Sequence, residues 1–377
     1  MTNEDLLSKT ITYLRFPLAV GVTFIHFNLS DGLKINGIQH GLGNPDWFFF
    51  IVNFISEVLV RINVPLFFVI SGFLFFYRTD FSETVYKHKL KSRAKTLLVP
   101  YLLWNSIAIL WKLIFFLPVL SSFVRPVEID LSFTRIINTF FFDTDNRGIF
   151  IGPVHAESSP EIYPINDPLW YVRDLMLMAI CSPIIHWLIK RMGIWLVALL
   201  GTFWFLSSII FPNGGYVYML TVASFFFSWG AYFSISAKNI VFSFRKMKYI
   251  PMVYLIVALV DLLTIGREYN IFIHKIGILL GIASAVVVVS YLIEFEIVKT
   301  NKTLANSSFF IYVLHNLFIG LVGKFVFLML HIPENNPLAM LALYFGVPLF
   351  SVAVCLILYI LLKRYTPKVC NLLTGNR

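Results

Sequence analysis

Charge is what this sequence has least of: only 13% of its 377 residues are charged, whereas 58% are hydrophobic and 39 are Phe. An ordinary soluble domain carries about 25% charged residues, so the composition excludes a soluble globular fold. Apolar runs that approach the ~20 residues needed to cross a bilayer recur along the whole chain. The sequence therefore predicts an all-α fold, a polytopic integral membrane helical bundle.

Cysteine is also scarce. Cys181, Cys355 and Cys370 lie far apart, without a CxxC or Cys/His pattern, and are predicted to be packing residues. No metal and no tightly bound cofactor are predicted, because histidines outside the apolar motifs show no metal-ligand spacing. These histidines are His40, His88, His155, His186, His274 and His331.

Internal repeats, low-complexity tracts and domain-sized soluble inserts are not evident. We therefore predict one membrane-embedded domain over residues 1–377. Its long loop, about 121–167, is predicted to lie outside as an ordered cap or as a solvated connector. The first apolar run follows no basic segment and has no small-residue cleavage site, so we expect a retained span rather than a signal peptide.

About ten transmembrane helices are predicted. Basic residues concentrate in alternate loops, which the positive-inside rule assigns to the cytoplasm, so both termini are predicted to be cytoplasmic. This topology accounts for the net charge of +10 without a nucleic-acid partner. The approximate spans are 11–29, 51–77, 97–120, 168–189, 192–211, 216–236, 249–265, 270–293, 307–330 and 338–362.

Two ionisable side chains, Arg15 and His26, lie eleven residues apart in the first apolar run. Eleven steps of about 100° return to nearly the same helix face, about three turns or roughly 16 Å further on. Titratable groups inside a span are costly and indicate a functional site. The alternative is structural, with an interfacial arginine and a histidine bonded to a neighbouring helix.

Further motifs follow in a fixed order, at Pro65–Leu74, Arg93–Leu102, Pro168–Leu175 and Ser307–His315. Together with Arg15 and His26 they resemble the acyltransferase 3 family of integral membrane O-acyltransferases over essentially the whole chain. The resemblance implies a protein of about ten spans that uses acetyl-CoA, or another acyl-CoA, to acylate a sugar on the extracytoplasmic side. Many members carry two arginines three residues apart before a Pro-Tyr pair, whereas this chain has Arg93 and Thr96. Lys95 is the candidate substitute, although lysine offers a point charge instead of a planar fork.

The donor is expected to meet basic side chains on the cytoplasmic side. Arg15, Arg93 and Lys95 are predicted to contact the phosphates of acyl-CoA, whose thioester would reach towards His26. The alternative for the basic stretch is a topology signal that meets anionic lipid headgroups. With the family resemblance, Tyr312 and His315 are also predicted to contact the donor; without it, His315 would be a core histidine bonded to a carbonyl.

His26 is the predicted general base, since an imidazole with a pKa near ~6.5 is suited to taking a hydroxyl proton at neutral pH. A covalent acyl-histidine is the alternative role. Ser71, Gly72 and Phe73 are predicted to serve close helix packing.

The acceptor sugar is predicted to meet an aromatic and charged group at the outer start of the fourth span. The alternatives are an interfacial aromatic belt and a buried ion pair. The group comprises Trp170, Tyr171, Arg173 and Asp174.

The leading hypothesis is an O-acetyltransferase of a bacterial cytoplasmic membrane, acting on a surface polysaccharide or a lipid-linked glycan. Expected partners are acyl-CoA, the glycan, membrane lipids and proteins of polysaccharide assembly. The rival hypotheses are a transporter or flippase of a sugar-lipid and an assembly subunit, although matching broken spans in two repeated halves, typical of a transporter, are not evident.

Overall fold

Helices dominate the protein. The computed structural model describes residues 2–35, 37–114, 128–143, 147–151 and 162–376. In these ranges the helices are α1 Asn3–His26, α2 Asp46–Asn53, α3 Asn63–Phe76, α4 Glu83–Arg93, α5 Val99–Ile114, α6 Phe133–Phe141, α7 Trp170–Ile180, α8 Ser182–Met192, α9 Ile194–Ile210, α10 Tyr216–Ile235, α11 Ile240–Arg245, α12 Ile250–Leu263, α13 Asn270–Glu294, α14 Lys302–Leu314, α15 Ile319–Met329, α16 Pro337–Tyr365 and α17 Pro367–Thr374.

Local sequence explains both ends of α1. The Thr2 hydroxyl accepts a hydrogen bond from the Asp5 backbone N–H at 3.2 Å, and acidic residues occupy the first turn, where they complement the helix dipole. The helix ends at His26, because Phe27 has left the helical region with φ −119° and ψ 67°. His26 therefore lies at the C-terminal end of the helix, with a change of chain direction directly after it.

A π-helical segment, Phe54–Leu59, and a 3₁₀ turn, Val60–Ile62, join α2 to α3. Residues Asp46–Phe76 therefore form one unbroken helix whose hydrogen-bonding pattern is irregular near its middle. Segments of π-helix inside helices commonly occur at functional sites, since the extra residue re-aims the side chains that follow. Glu57 lies in this segment.

Five described helices are long and apolar enough to cross a membrane. Two bent pairs, α7 with α8 and α14 with α15, would raise this number to seven if each pair is one span. The helices α9 and α12 are apolar but shorter. The protein is thus an all-α, multi-pass membrane protein, whereas ten spans and the direction of the termini stay predictions. The five long helices cover Asp46–Phe76, Glu83–Ile114, Tyr216–Ile235, Asn270–Glu294 and Pro337–Tyr365.

The chain forms two compact units. Unit 1 comprises Met1–Ile70 and Ala237–Leu361, and unit 2 comprises Ser71–Ser236 and Leu362–Arg377. A dense apolar core in unit 1 surrounds the end of α1 and includes Phe24, Phe27 and Tyr344. The single acyltransferase domain over 1–377 stays a prediction, because compactness does not by itself define a functional unit.

The predicted long loop contains ordered elements. Strand β3, Glu128–Ile129, pairs antiparallel with β4, Phe150–Ile151, and α6 lies between them in sequence. Two further strands, β1 Leu33–Ile35 and β2 Ile38–His40, form a hairpin after α1. The rest of the predicted cap, including the Gly152–Pro153 pair, falls on residues 115–127, 144–146 and 152–161, which lie outside the described residues.

Candidate active site

The predicted site residues are divided between the two units. Unit 1 contains the predicted base and three predicted donor contacts, Arg15, His26, Tyr312 and His315. Unit 2 contains the remaining predicted residues, Ser71, Gly72, Phe73, Arg93, Lys95, Trp170, Tyr171, Arg173 and Asp174.

Two histidines that are far apart in sequence meet in unit 1. The ring centroids of His26 and His315 lie 5.1 Å apart, with the ring planes inclined by 60°. His26 is the last residue of α1, and His315 directly follows α14, where the helix changes to a 3₁₀ turn before α15 bends away by 57°. Two helix ends therefore bring the imidazoles together.

Hydrogen bonding fixes the orientation of His315, whose residue is 0% exposed. Its Nδ1 lies 2.9 Å from the carbonyl oxygen of Ile311. Because a carbonyl oxygen only accepts, Nδ1 carries the hydrogen in the neutral ring and Nε2 is left as an acceptor. That Nε2 is buried and has no hydrogen-bond partner among the described residues. Leaving a buried hydrogen-bond acceptor without a partner costs free energy. Such an acceptor is therefore suited to accept a hydrogen bond from a bound substrate.

The other predicted donor residues of unit 1 lie on the same two helices. Arg15 is half-buried on α1, two residues before Pro17. Tyr312 is buried on α14, and its ring packs edge-on against Phe67 with a centroid distance of 6.3 Å. Contact of either residue with a donor stays a prediction.

The Ser-Gly-Phe motif of α3 lies at a tight helix contact in unit 2. A Cβ atom on Gly72 would overlap the backbone carbonyl oxygen of Phe227, so α3 and α10 approach closely at this point. Ser71 Oγ and Tyr171 Oη lie 2.8 Å apart in a hydrogen bond that links α3 to α7. The close helix contact explains the glycine at position 72. The hydrogen bond to Tyr171 gives Ser71 a structural role, so the motif needs no catalytic serine.

Arg173 and Asp174 form a buried ion pair. They are 5% and 0% exposed, and Arg173 Nε donates to Asp174 Oδ1 at 2.8 Å. Arg173 Nη1 also donates to the carbonyl oxygens of Phe141 at 2.7 Å and Ile162 at 3.0 Å, while its guanidinium lies 4.5 Å from the Tyr216 ring centroid. The pair thus ties the loop before α7 to the helix, a structural role that the contacts establish. Acceptor binding by this group, with its half-buried neighbour Trp170, stays a prediction.

Lys95 lines a basic cavity of about 340 Å³ in unit 2. Lys368, on the C-terminal helix α17, faces the same cavity, together with two asparagines. Sequence reasoning used the C-terminal basic residues only for topology and did not identify this group. Arg93 lies two residues before Lys95, with its guanidinium 5.6 Å from the Phe75 ring centroid. The cavity residues that the sequence analysis missed are Lys368, Asn371 and Asn376.

Metal ligands do not converge in the part of the chain that the structure describes: it contains no group of three or more His, Cys, Asp or Glu side chains that could hold an ion. The expectation of a protein without a metal stays an expectation.

The protein is thus a multi-pass membrane protein in which a half-buried imidazole, His26, meets a buried one, His315, where two helices end. A family model described as an acyltransferase domain matches residues 9–360. The chain therefore belongs to the acyltransferase 3 family and is an O-acyltransferase. It is 27% identical over 384 residues to the succinoglycan biosynthesis protein ExoH of Rhizobium meliloti (strain 1021), with 98% of this chain and 93% of that protein covered. No solved structure matches the chain.

Proposed function

We propose that the protein transfers an acetyl group from acetyl-CoA to a hydroxyl of a cell-surface polysaccharide or lipid-linked glycan at a bacterial cytoplasmic membrane. Family membership supports acyl transfer in preference to the rival transporter hypothesis. The similarity to ExoH, a succinoglycan biosynthesis protein, supports a polysaccharide acceptor.

The paired rings of His26 and His315, with centroids 5.1 Å apart, carry the proposal. In the proposed step His26 takes the proton of the acceptor hydroxyl while that oxygen attacks the thioester carbonyl carbon. The carbon–sulfur bond then breaks, and the leaving thiolate takes that proton from the His26 imidazolium, so the base is regenerated and the products are an acyl ester and free CoA. His315 presents its buried Nε2 as an acceptor beside the base, where it orients the hydroxyl or the protonated ring of His26.

The cavity of Lys95 and Lys368 supports an acyl-CoA donor. Two ammonium groups and two side-chain amides suit phosphate oxygens, which accept hydrogen bonds and carry negative charge. Its volume of about 340 Å³ lies within the range of small-molecule sites, ~300–1,000 Å³. We assign the phosphates of the donor to this cavity.

The proposal is tested with the full chain in nanodiscs, using acetyl-CoA labelled in the acetyl group and glycan extracted from the native host. The expected result is alkali-labile label in the glycan and stoichiometric release of free CoA. Succinyl-CoA in a parallel reaction identifies the preferred acyl group. Intact donor after prolonged incubation, both with and without glycan, would overturn the proposal.

Reversing one charge in the basic cavity is expected to weaken donor binding. Lys368→Glu removes an attraction for phosphate and adds a repulsion, so we expect the KM for acetyl-CoA to rise about tenfold, with a smaller difference from the wild type at high salt. Steady-state kinetics at two ionic strengths measures this. Lys302→Glu is the matched control, since Lys302 is exposed at the start of α14 and does not line the cavity. Equal changes in KM for both variants would contradict the assignment.

A further inference from the structure

A second, differently charged cavity of about 430 Å³ lies within unit 1. Its volume again falls in the ~300–1,000 Å³ range of small-molecule sites. Its walls come from the segment after α1, from α2 with its π-helical continuation, and from the ends of α12 and α13 that face each other across a turn. The lining residues are Ser30, Asp31, Asn53, Glu57, Asp261, Ile265, Asn270, Ile271 and His274.

Hydrogen bonds fix the orientation of three polar residues that line the cavity, Asp261, Asn270 and His274. Asp261 is only 2% exposed, and its Oδ1 accepts a hydrogen bond from Asn270 Nδ2 at 2.9 Å. Its Oδ2 lies 2.9 Å from His274 Nδ1. Because the carboxylate is an acceptor, Nδ1 carries the hydrogen, and the neutral ring keeps Nε2 as an acceptor. The half-buried imidazole is therefore held in one orientation in the cavity wall by a buried partner.

Another lining residue, Glu57, is connected to the segment that follows the proposed base. Glu57 Oε1 accepts a hydrogen bond from Asn28 Nδ2 at 2.5 Å, and Asn28 is two residues beyond His26. Glu57 Oε2 lies 2.5 Å from Arg61 Nη2, an i,i+4 ion pair that offsets the charge of this carboxylate. One hydrogen bond thus joins the lining of the cavity to the segment that follows the catalytic histidine.

Charge excludes the donor from this cavity. The Asp31 and Asp261 carboxylates line it together with Glu57, which is paired with Arg61, and no lysine or arginine is among its described lining residues. The phosphates of acyl-CoA and the carboxylates of acidic sugars would be repelled, whereas hydroxyl groups both donate to carboxylates and accept from amides. Mixed donors and acceptors around a space of this size suit a neutral sugar ring.

We propose that this cavity binds the acceptor and selects a neutral, hydroxyl-rich sugar residue of the glycan over an acidic one. The inference rests on the proposed function. It places acceptor recognition on Asp31, Asn53 and His274, side chains that the sequence analysis did not assign to any site.

The test separates donor chemistry from acceptor binding in the full chain in nanodiscs. Donor hydrolysis is measured without glycan, and transfer of labelled acetyl is measured against increasing amounts of extracted host glycan. Cellotetraose and a tetrasaccharide ending in glucuronate are added as competitors. The variants are Asp31→Lys, at an exposed lining residue, and His274→Gln. The control is Glu268→Lys, which makes the same charge change as Asp31→Lys at an exposed residue of the α12–α13 turn; Glu268 is not a lining residue.

We expect both cavity variants to raise the half-saturating amount of glycan about 3- to 10-fold, as the loss of one or two hydrogen bonds predicts, with unchanged donor hydrolysis. Cellotetraose should compete in the wild type, and the acidic tetrasaccharide should compete only in Asp31→Lys. Unchanged half-saturation in Asp31→Lys, or equal competition by both tetrasaccharides in the wild type, would overturn the inference. Absence of donor consumption by the wild type would instead overturn the proposed function.

Discussion

Replacing His26 with alanine is expected to lower acetyl transfer by about 10²- to 10⁴-fold at matched amounts of folded protein. The acceptor hydroxyl is a weak nucleophile, and the variant leaves no group in the place of the imidazole to take its proton as the carbon–oxygen bond forms. Donor hydrolysis is expected to fall in parallel, because an attacking water needs the same base. The measurement is release of CoA and ester formation from labelled acetyl-CoA in nanodiscs.

Two further histidine substitutions test whether the loss of acetyl transfer in His26→Ala is specific to this residue. His40→Ala removes a histidine whose Nδ1 pairs with Glu334 at 2.6 Å at the end of β2, and it should keep near-wild-type activity. His315→Ala removes the neighbouring ring, and its loss in a double variant with His26→Ala should be much less than additive if the two rings act as a unit. Wild-type activity in His26→Ala would contradict the assignment of the base. Accumulation of acetylated protein in the wild type, absent from His26→Ala, would favour the covalent acyl-histidine role.

Removing the Asp174 carboxylate is expected to destabilise the protein by about 3–5 kcal/mol. Asp174→Ala leaves the Arg173 guanidinium buried with two carbonyl contacts and no counter-ion. Breaking a buried pair from one side costs far more than the pair contributes as a whole, since the remaining charge cannot be solvated. The free energy of unfolding in mixed detergent micelles, titrated with SDS, measures the effect.

An exposed Asp–Arg pair elsewhere in unit 2 provides the matched control for Asp174→Ala. Asp130 lies 3.6 Å from Arg135, and both side chains are partly exposed, so Asp130→Ala should destabilise the protein much less than Asp174→Ala. Equal destabilisation by both substitutions would show that the buried pair is not what stabilises the loop before α7. Asp174→Asn separates the two roles of this residue: a folded variant with a raised KM for glycan would support the prediction that this group binds the acceptor.

The recurrence of long apolar runs along the chain was sufficient to predict an all-α membrane protein, because spans must satisfy their backbone hydrogen bonds internally and are therefore apolar helices. It also located most helix limits to within a few residues, as in α10, Tyr216–Ile235, predicted as 216–236. The hairpin of β1 and β2 was not predicted, since two strands of three residues leave little periodic signal. A tight turn follows α9, where Gly214 and Gly215 have positive φ values of 66° and 96° that a glycine adopts without strain.

The sequence by itself determined the family of the protein. Its ionisable residues and motifs are short local patterns within apolar runs, so each can be recognised in a single span. Arg15, His26 and the Ser307–His315 motif identified the family that the comparison then established. Only the tertiary structure decided which of these groups meet. The contact of His26 with His315, the cavity that pairs Lys95 with Lys368, and the cavity that joins Asp31 to His274 all depend on packing between distant segments. Helix rotation and the angles at helix breaks set these contacts, and neither follows from the composition of a single span.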